Sequence, residues 1–203
     1  LVFGIQSTPS WGHVEEAAWK YRSIEKTQMD LRKIVSSRDM GIGVKGALSD
    51  TGVTYQFLVG NDTTKAETDK DKKLYGSVAY RKSGVVGELY GHLRQRPGDE
   101  SEFVGKVVGG YDDGDFAGFV SAFSRTQSDV GSVAGADVST IGLSVFGRYA
   151  VSEEVEVVAR GDFFDPDTDG DNDAKTLLIL GAAYRPIGQV AFMPNVLIET
   201  PED

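Results

Sequence analysis

Lys73 to Arg94 reads KLYGSVAYRKSGVVGELYGHLR, and two kinds of residue alternate through it. On the first arm Leu74, Val78 and Tyr80 fall on one parity, and Tyr75, Ser77, Ala79 and Arg81 on the other. On the second, Val85, Gly87, Leu89, Gly91 and Leu93 alternate with Val86, Glu88, Tyr90, His92 and Arg94. A period of two belongs to a strand, whose successive side chains point to opposite faces, and Lys82-Ser83-Gly84 is the turn between the arms. One face of the hairpin is oily or small; the other is polar and charged. Such a hairpin fits a soluble sandwich with its oily face in a core. It fits equally a membrane barrel with that face turned outward to lipid.

Composition narrows the choice. The chain has 203 residues, long enough to bury a core as one all-β domain, and its 25 glycines against six prolines suit many strands and tight turns. Cysteine is absent, which excludes a disulfide framework and a thiol metal site. No apolar run approaches the roughly 18 residues of a membrane helix. Leu1 is neither a start methionine nor the opening of a signal peptide, so a mature, processed or trimmed chain is expected. The net charge of −10 argues against nucleic acid as a partner, because a polyanion needs a basic surface, and it fits acidic exposed loops.

In chain order, Leu1 to Gln6 reads as a strand. Ser10 to Ile34 changes period: Val14, Ala17, Ala18, Tyr21 and Ile24 recur at three and four, with Ser10 as the expected cap, predicting one or two short helices. From Asp39 onward strands follow one another, near 40–48, 53–61, 73–81, 85–94, 103–111, 116–125, 138–150, 155–164, 175–185 and 190–199, about eleven in all with the first. Their connections alternate in length. Short ones at 49–52, 82–84, 112–115, 152–154 and 186–188 are separated by long polar ones at 62–72, 95–102, 126–137 and 165–174. An outer-membrane barrel has tight turns at its periplasmic end and long loops at the other, and needs tilted strands of about ten residues. Tyr80, Phe103, Tyr111, Phe123, Tyr149, Phe163 and Tyr184 lie near strand ends on the oily parity, where aromatic girdles sit. The predicted fold is therefore all-β, an antiparallel up-and-down transmembrane β-barrel with one helical loop at residues 10–38. A soluble β-sandwich binding protein is the alternative fold.

Two stretches resemble a known family. GIQSTP followed by WKYRSIEKTQMDLRKIVSSRDMGIGVKG, and the closing DFFDPDTDGDNDAKTLLILGAAYRPIGQVAFMPNVLIET, are similar to Gram-negative porins of the phosphate-selective porin O and P family. That resemblance implies a barrel of about sixteen strands in the bacterial outer membrane, a homotrimer, and passage of small solutes. The chain departs from the pattern in its odd strand count and in ending Thr200-Pro201-Glu202-Asp203. A segment of a larger barrel is expected.

Candidate site residues follow from parity. With the polar face inward, the wall receives Lys45, Arg81, Arg94, Lys106, Arg148, Arg160 and Arg185 against Glu88, Glu156, Asp162 and Glu199. Bases lead, and basic rings favour anions in pores; Arg94 is expected to pair with Glu88 and Arg160 with Asp162. The 10–38 segment is basic and aromatic, with Lys20, Arg22, Lys26, Arg32 and Lys33 beside Trp11, Trp19 and Tyr21, and is expected either to fold inward and narrow the pore or to lie over the barrel mouth. Asp165, Asp167, Asp169, Asp171 and Asp173 stand at positions 1, 3, 5, 7 and 9 of an EF-hand-like loop with Gly170 at 6. Position 12 is Thr176, so the bidentate Glu is missing; the run reads as a solvated acidic loop or a weak calcium site, and no other cofactor is expected. The two histidines, His13 and His92, lie in no catalytic motif, so the protein is read as a non-enzyme. The function expected is a passive porin for small anionic or neutral solutes, among outer-membrane lipid. A structural or adhesive barrel with a plugged lumen is the alternative within that fold.

Overall fold

In the computed structural model, which describes residues 1–64, 72–96, 100–130 and 133–202, the Lys73 to Arg94 hairpin is β4 (Lys72–Lys82) and β5 (Val85–Gln95). Ser83 and Gly84 connect them with φ of 52° and 82°, the paired positive angles of a two-residue type I′ turn. That turn fixes the register Leu74↔Leu93, Val78↔Leu89 and Lys82↔Val85, which puts Leu74, Val78, Val85, Leu89 and Leu93 on one face.

The same rule runs through the chain. β1 (Val2–Ser7), β2 (Arg38–Leu48), β3 (Val53–Gly60), β4, β5, β6 (Ser101–Asp112), β7 (Phe116–Ser128), β8 (Val138–Ala150), β9 (Val155–Asp165) and β10 (Lys175–Ile187) pair antiparallel in sequence order. The last pass is broken in two: β11 (Val190–Phe192) and β12 (Asn195–Pro201) both pair with β10. Pro194, which has no N–H to donate, lies at the break, and Met193 packs against the buried core from it. The sequence expectation of one strand over 190–199 is corrected to these two pieces, giving a 12-stranded sheet that is not closed. The short connections join the same ends of the strands throughout. Parts of the long connections expected at 62–72, 95–102 and 126–137 lie outside the described residues.

The faces are inverted relative to a soluble protein. Leu74, Val78, Leu89, Leu93, Phe103 and Val107 are all exposed, while Lys73, Glu88, His92, Glu102, Lys106 and Asp162 are buried. Tyr80, Phe103, Tyr111, Tyr149, Phe163 and Tyr184 face outward near strand ends as expected. Phe123 does not. It is 5% exposed and packs against Phe164 on the inner side, because the outward parity of β7 is that of Phe116 and Val120, which leaves Phe123 on the inner one with Phe119.

What covers the polar face is the segment between β1 and β2. It holds α1 (Glu15–Trp19) and α2 (Gln28–Leu31), helices of one turn or so. Val14, Ala18, Trp19 and Tyr21 share one buried cluster with inward residues of β4 to β10, and Trp11, Met29, Ile34 and Val35 share another with Leu58, Tyr75, Tyr90 and Val104. A single segment can touch that many consecutive strands only if the sheet curls around it. Ser10 does not cap a helix. Its hydroxyl meets that of Thr8 and its carbonyl accepts from Lys106, while α1 begins after Val14 with no side-chain cap.

Candidate functional site: the inner face and its inserted segment

Inward side chains form four ionic clusters, each built where the polar parity of neighbouring strands meets the inserted segment. At the centre, Lys106 of β6 lies 2.9 Å from Glu88 of β5 and 3.2 Å from Glu15 of α1, with all three side chains essentially without solvent access. Ser77 donates to Glu88 at 2.8 Å, and His13 bridges Ser77 at 3.2 Å and Thr54 at 3.0 Å. A buried cation between two carboxylates is costly to desolvate, and its stability rests on keeping every partner in place.

Towards the long-loop end, Arg94 binds Asp62 at 2.8 Å and Glu102 at 3.3 Å, and Lys73 binds the same two carboxylates at 3.2 and 3.3 Å. His92 stands 2.9 Å from Glu102 through Nε2 and 2.7 Å from the Tyr90 hydroxyl through Nδ1; a neutral ring protonated on Nε2 satisfies both. Asp39 accepts from the backbone N–H groups of Asn61, Asp62 and Thr63 and from the Tyr75 hydroxyl, fixing the end of β3. Burial opposes ionisation of Asp62 in the turn after β3, but Lys73 and Arg94 outweigh it and hold the carboxyl below its ordinary value.

At the short-turn end, Arg148 joins Asp112 at 2.6 Å and Glu156 at 2.9 Å. Glu156 also accepts the Tyr21 hydroxyl at 2.5 Å and lies 3.4 Å from Arg185. Burial and the bond to Glu156 push the Tyr21 phenol up, so it remains a donor. Arg81 lies 3.7 Å from Asp112 on the rim. The fourth cluster pairs Arg160 with Asp162 at 2.5 Å beneath the Trp19 ring, 5.3 Å from the guanidinium, while Arg160 also donates to the Lys26 carbonyl. Gln28 of α2 donates to the carbonyls of Leu143 and Phe163, and Arg32 reaches Glu199 of β12 at 2.5 Å.

No protein-family model matches the sequence, and no curated protein matches it either. The fold is similar to that of the outer-membrane expressed OmpT of Vibrio cholerae, with a TM-score of 0.73 and 16% identity over 98% of this chain and 66% of that one. It is similar to the in-vitro folded, trimer form of OmpT with a TM-score of 0.73, 14% identity, 98% of this chain and 65% of that one. An anion-selective porin from Comamonas acidovorans aligns with a TM-score of 0.65 and 16% identity over 82% of this chain and 50% of its own. The fold is that of a bacterial outer-membrane β-barrel. Its exposed apolar band lies in the lipid of that membrane, and its polar face is the inner one. The chain spans between half and two thirds of the length of these proteins.

Within such a barrel the expected wall residues sit as parity placed them, but not as expected in pairing. Arg94 turns to Asp62 and Glu102 instead of Glu88, which Lys106 takes; Arg160 and Asp162 do pair. Arg81, Arg94, Lys106, Arg148, Arg160 and Arg185 all stand in ion pairs, and of the seven expected bases Lys45 alone has none among the described residues. Lys73, Glu102, Asp112 and Asp39 belong to the same wall and were missed by the sequence analysis. Lys73 lies within the expected strand 73–81 on the parity of Arg81, and Glu102, Asp112 and Asp39 lie one residue beyond the expected strand ends, Glu102 and Asp112 on the parity of Lys106 and Asp39 on that of Lys45, so the parity rule applied one residue further would have found them. Arg125 was missed too; it is held by Thr140 and by no carboxylate among the described residues.

Glu15 is buried against Lys106 of the wall, whereas Lys20, Lys26 and Lys33 are exposed and form no ion pair among the described residues; Lys20 lies within electrostatic reach of Asp112, and Arg22 is tied to Glu16 and Asp30. The acidic run leaves the end of β9. Its Asp165 and Asp167 carboxylates accept the N–H groups two residues on, and Asp173 is pushed up by lost hydration and by Asp165 and Asp167. Among the described residues no group of three His, Cys, Asp or Glu side chains is gathered to hold a metal ion, and Asp169 and Asp171 are exposed.

Proposed function

We propose that the protein is a porin, a passive channel for small solutes with a mild preference for anions, and that it performs no catalysis. The observation that carries this reading is the exposure of bases without ion-pair partners on the inserted segment. The wall's bases are largely neutralised by the carboxylates they pair with, while Lys20, Lys26 and Lys33 are exposed and form no ion pair among the described residues. A permeating ion responds to charges within about one Debye length, roughly 8 Å at physiological salt. Three lysines on a narrowing element therefore outweigh the acidic total of the chain, and favour anions. The printed name of one similar structure, an anion-selective porin, supports the same direction. The resemblance of GIQSTP and SSRDMG to phosphate-selective porins supports conduction, and the trimer form of a similar structure supports a homotrimer.

A second reading has its own observation. Trp11, Trp19, Tyr21 and Met29 bury almost completely between segment and wall, as a plug would, and a structural barrel with a filled lumen follows from that. Planar-bilayer recording of the intact protein separates the two: stepwise ohmic conductance is expected of the porin, and a silent bilayer from folded, heat-modifiable protein would support the plug.

A further inference from the structure

Two cavities lie between the inserted segment and the first strands of the sheet, and they adjoin. The upper one, about 620 Å³, reaches from Lys20 and Arg22 to Ser37 and Arg38, at the end of β2 away from the short 49–52 turn. The lower one, about 470 Å³, reaches Lys45 and the Ala47↔Thr54 pair beside that turn. Ser7, Thr8 and Gly12 line both. Together the cavities run nearly the length of β2, from Arg38 to Ala47, and a strand of that length crosses the membrane. The apolar side chains of the segment pack on inner residues of β3 to β10, which leaves this space open beside β1 and β2. Gly12 stands where the two cavities meet. It is exposed, its φ lies outside the left-handed region, and a Cβ there would meet no atom within 4 Å. Its neighbours are committed elsewhere: Trp11 is buried, and His13 is held by Thr54 and Ser77.

We infer that permeating solutes cross the barrel through this passage, between the inserted segment and β1 to β3, with Gly12 at its neck. The inference rests on the porin reading and adds the route to it. Among the described lining residues Lys20, Arg22, Arg38 and Lys45 are accompanied by one carboxylate, Glu16, so an anion taking this route meets bases on both sides of the neck.

The chain has no cysteine, so Gly12→Cys places a single thiol at the neck. The test records the intact variant in planar bilayers before and after a methanethiosulfonate reagent bearing either a sulfonate or a trimethylammonium group, with mass spectrometry confirming that the thiol has reacted. Unmodified Gly12→Cys is expected to conduct as wild type does. Either adduct should lower the unitary conductance, because both add bulk. The sulfonate should also shift the reversal potential toward cations and the ammonium toward anions, an opposite pair of shifts that a structural disturbance would not produce. Gly188→Cys, in the exposed turn between β10 and β11 where a Cβ also meets no atom within 4 Å, should react and leave both readouts unchanged. A fully reacted Gly12→Cys with wild-type conductance and potential would overturn the route and leave the porin reading in place. So would a Gly12→Cys thiol that stays unreacted in folded, conducting protein, or an equal response in Gly188→Cys. A folded but silent wild type would overturn both.

Discussion

Lys106 is the point at which wall and inserted segment are charged against each other. Replacing it by Met removes the cation between Glu88 and Glu15 and leaves two buried carboxylates facing each other. The expected cost is about 3–5 kcal/mol, the range for breaking a buried pair by deleting one partner, read as a lower urea midpoint in detergent. Adding Glu88→Gln and Glu15→Gln should recover most of it, which a simple packing defect would not allow. Asp62 gives a pH signature. Its folded pKa lies below the ordinary value of 3.8, so the stability it contributes is fully present above that value and is lost as pH falls through the lower folded one. The gap in unfolding midpoint between wild type and Asp62→Asn should therefore be full at neutral pH and narrow as the pH falls below 3.8; a gap that stays constant as the pH is lowered would contradict the assignment. At this scale parity made the inward residues legible, but not their partners. Lys106 meets Glu15 91 positions away and Tyr21 meets Glu156 135 positions away, and no local pattern carries such pairings.

The decisive element is the segment between β1 and β2. Its helices are too short to be stable alone, lack side-chain caps, and α1 stops where Lys20 takes a left-handed φ of 62°. Its shape is set by what it packs on: Trp19 lies edge-on to Phe146 and Tyr21, and Gln28 is bonded to strand carbonyls. The three-four spacing from Val14 to Ile24 signalled a helix and the basic, aromatic composition signalled something other than an outer loop. Neither could say that the apolar side would be satisfied by the wall, because that contact exists only once the sheet has curled. If the segment sets the bore, deleting Val14 to Ile34 should raise single-channel conductance. An unchanged conductance in protein that still shows heat-modifiable mobility would place the constriction elsewhere.

For the molecule as a whole, topology constrains what completes it. Counting β11 and β12 as one, the sheet has eleven passes, so its first and last run in the same direction. They cannot pair with each other antiparallel, nor can two copies held in the same membrane orientation join edge to edge that way; antiparallel closure takes an odd number of further strands. The alternation of short and long connections made this architecture readable from sequence, since nothing in a soluble meander sorts loops by end. The broken last pass was not readable, because its oily residues continue on either side of Pro194. The central claim is that the exposed lysines of the inserted segment set ion preference. It is tested most directly by reversal potentials of the intact protein under a KCl gradient, alongside a Lys20→Glu, Lys26→Glu, Lys33→Glu variant. The account predicts an anion-selective sign in the wild type that fades with rising salt and reverses in the variant. A cation-selective wild type, or a variant with an unchanged potential, would contradict it.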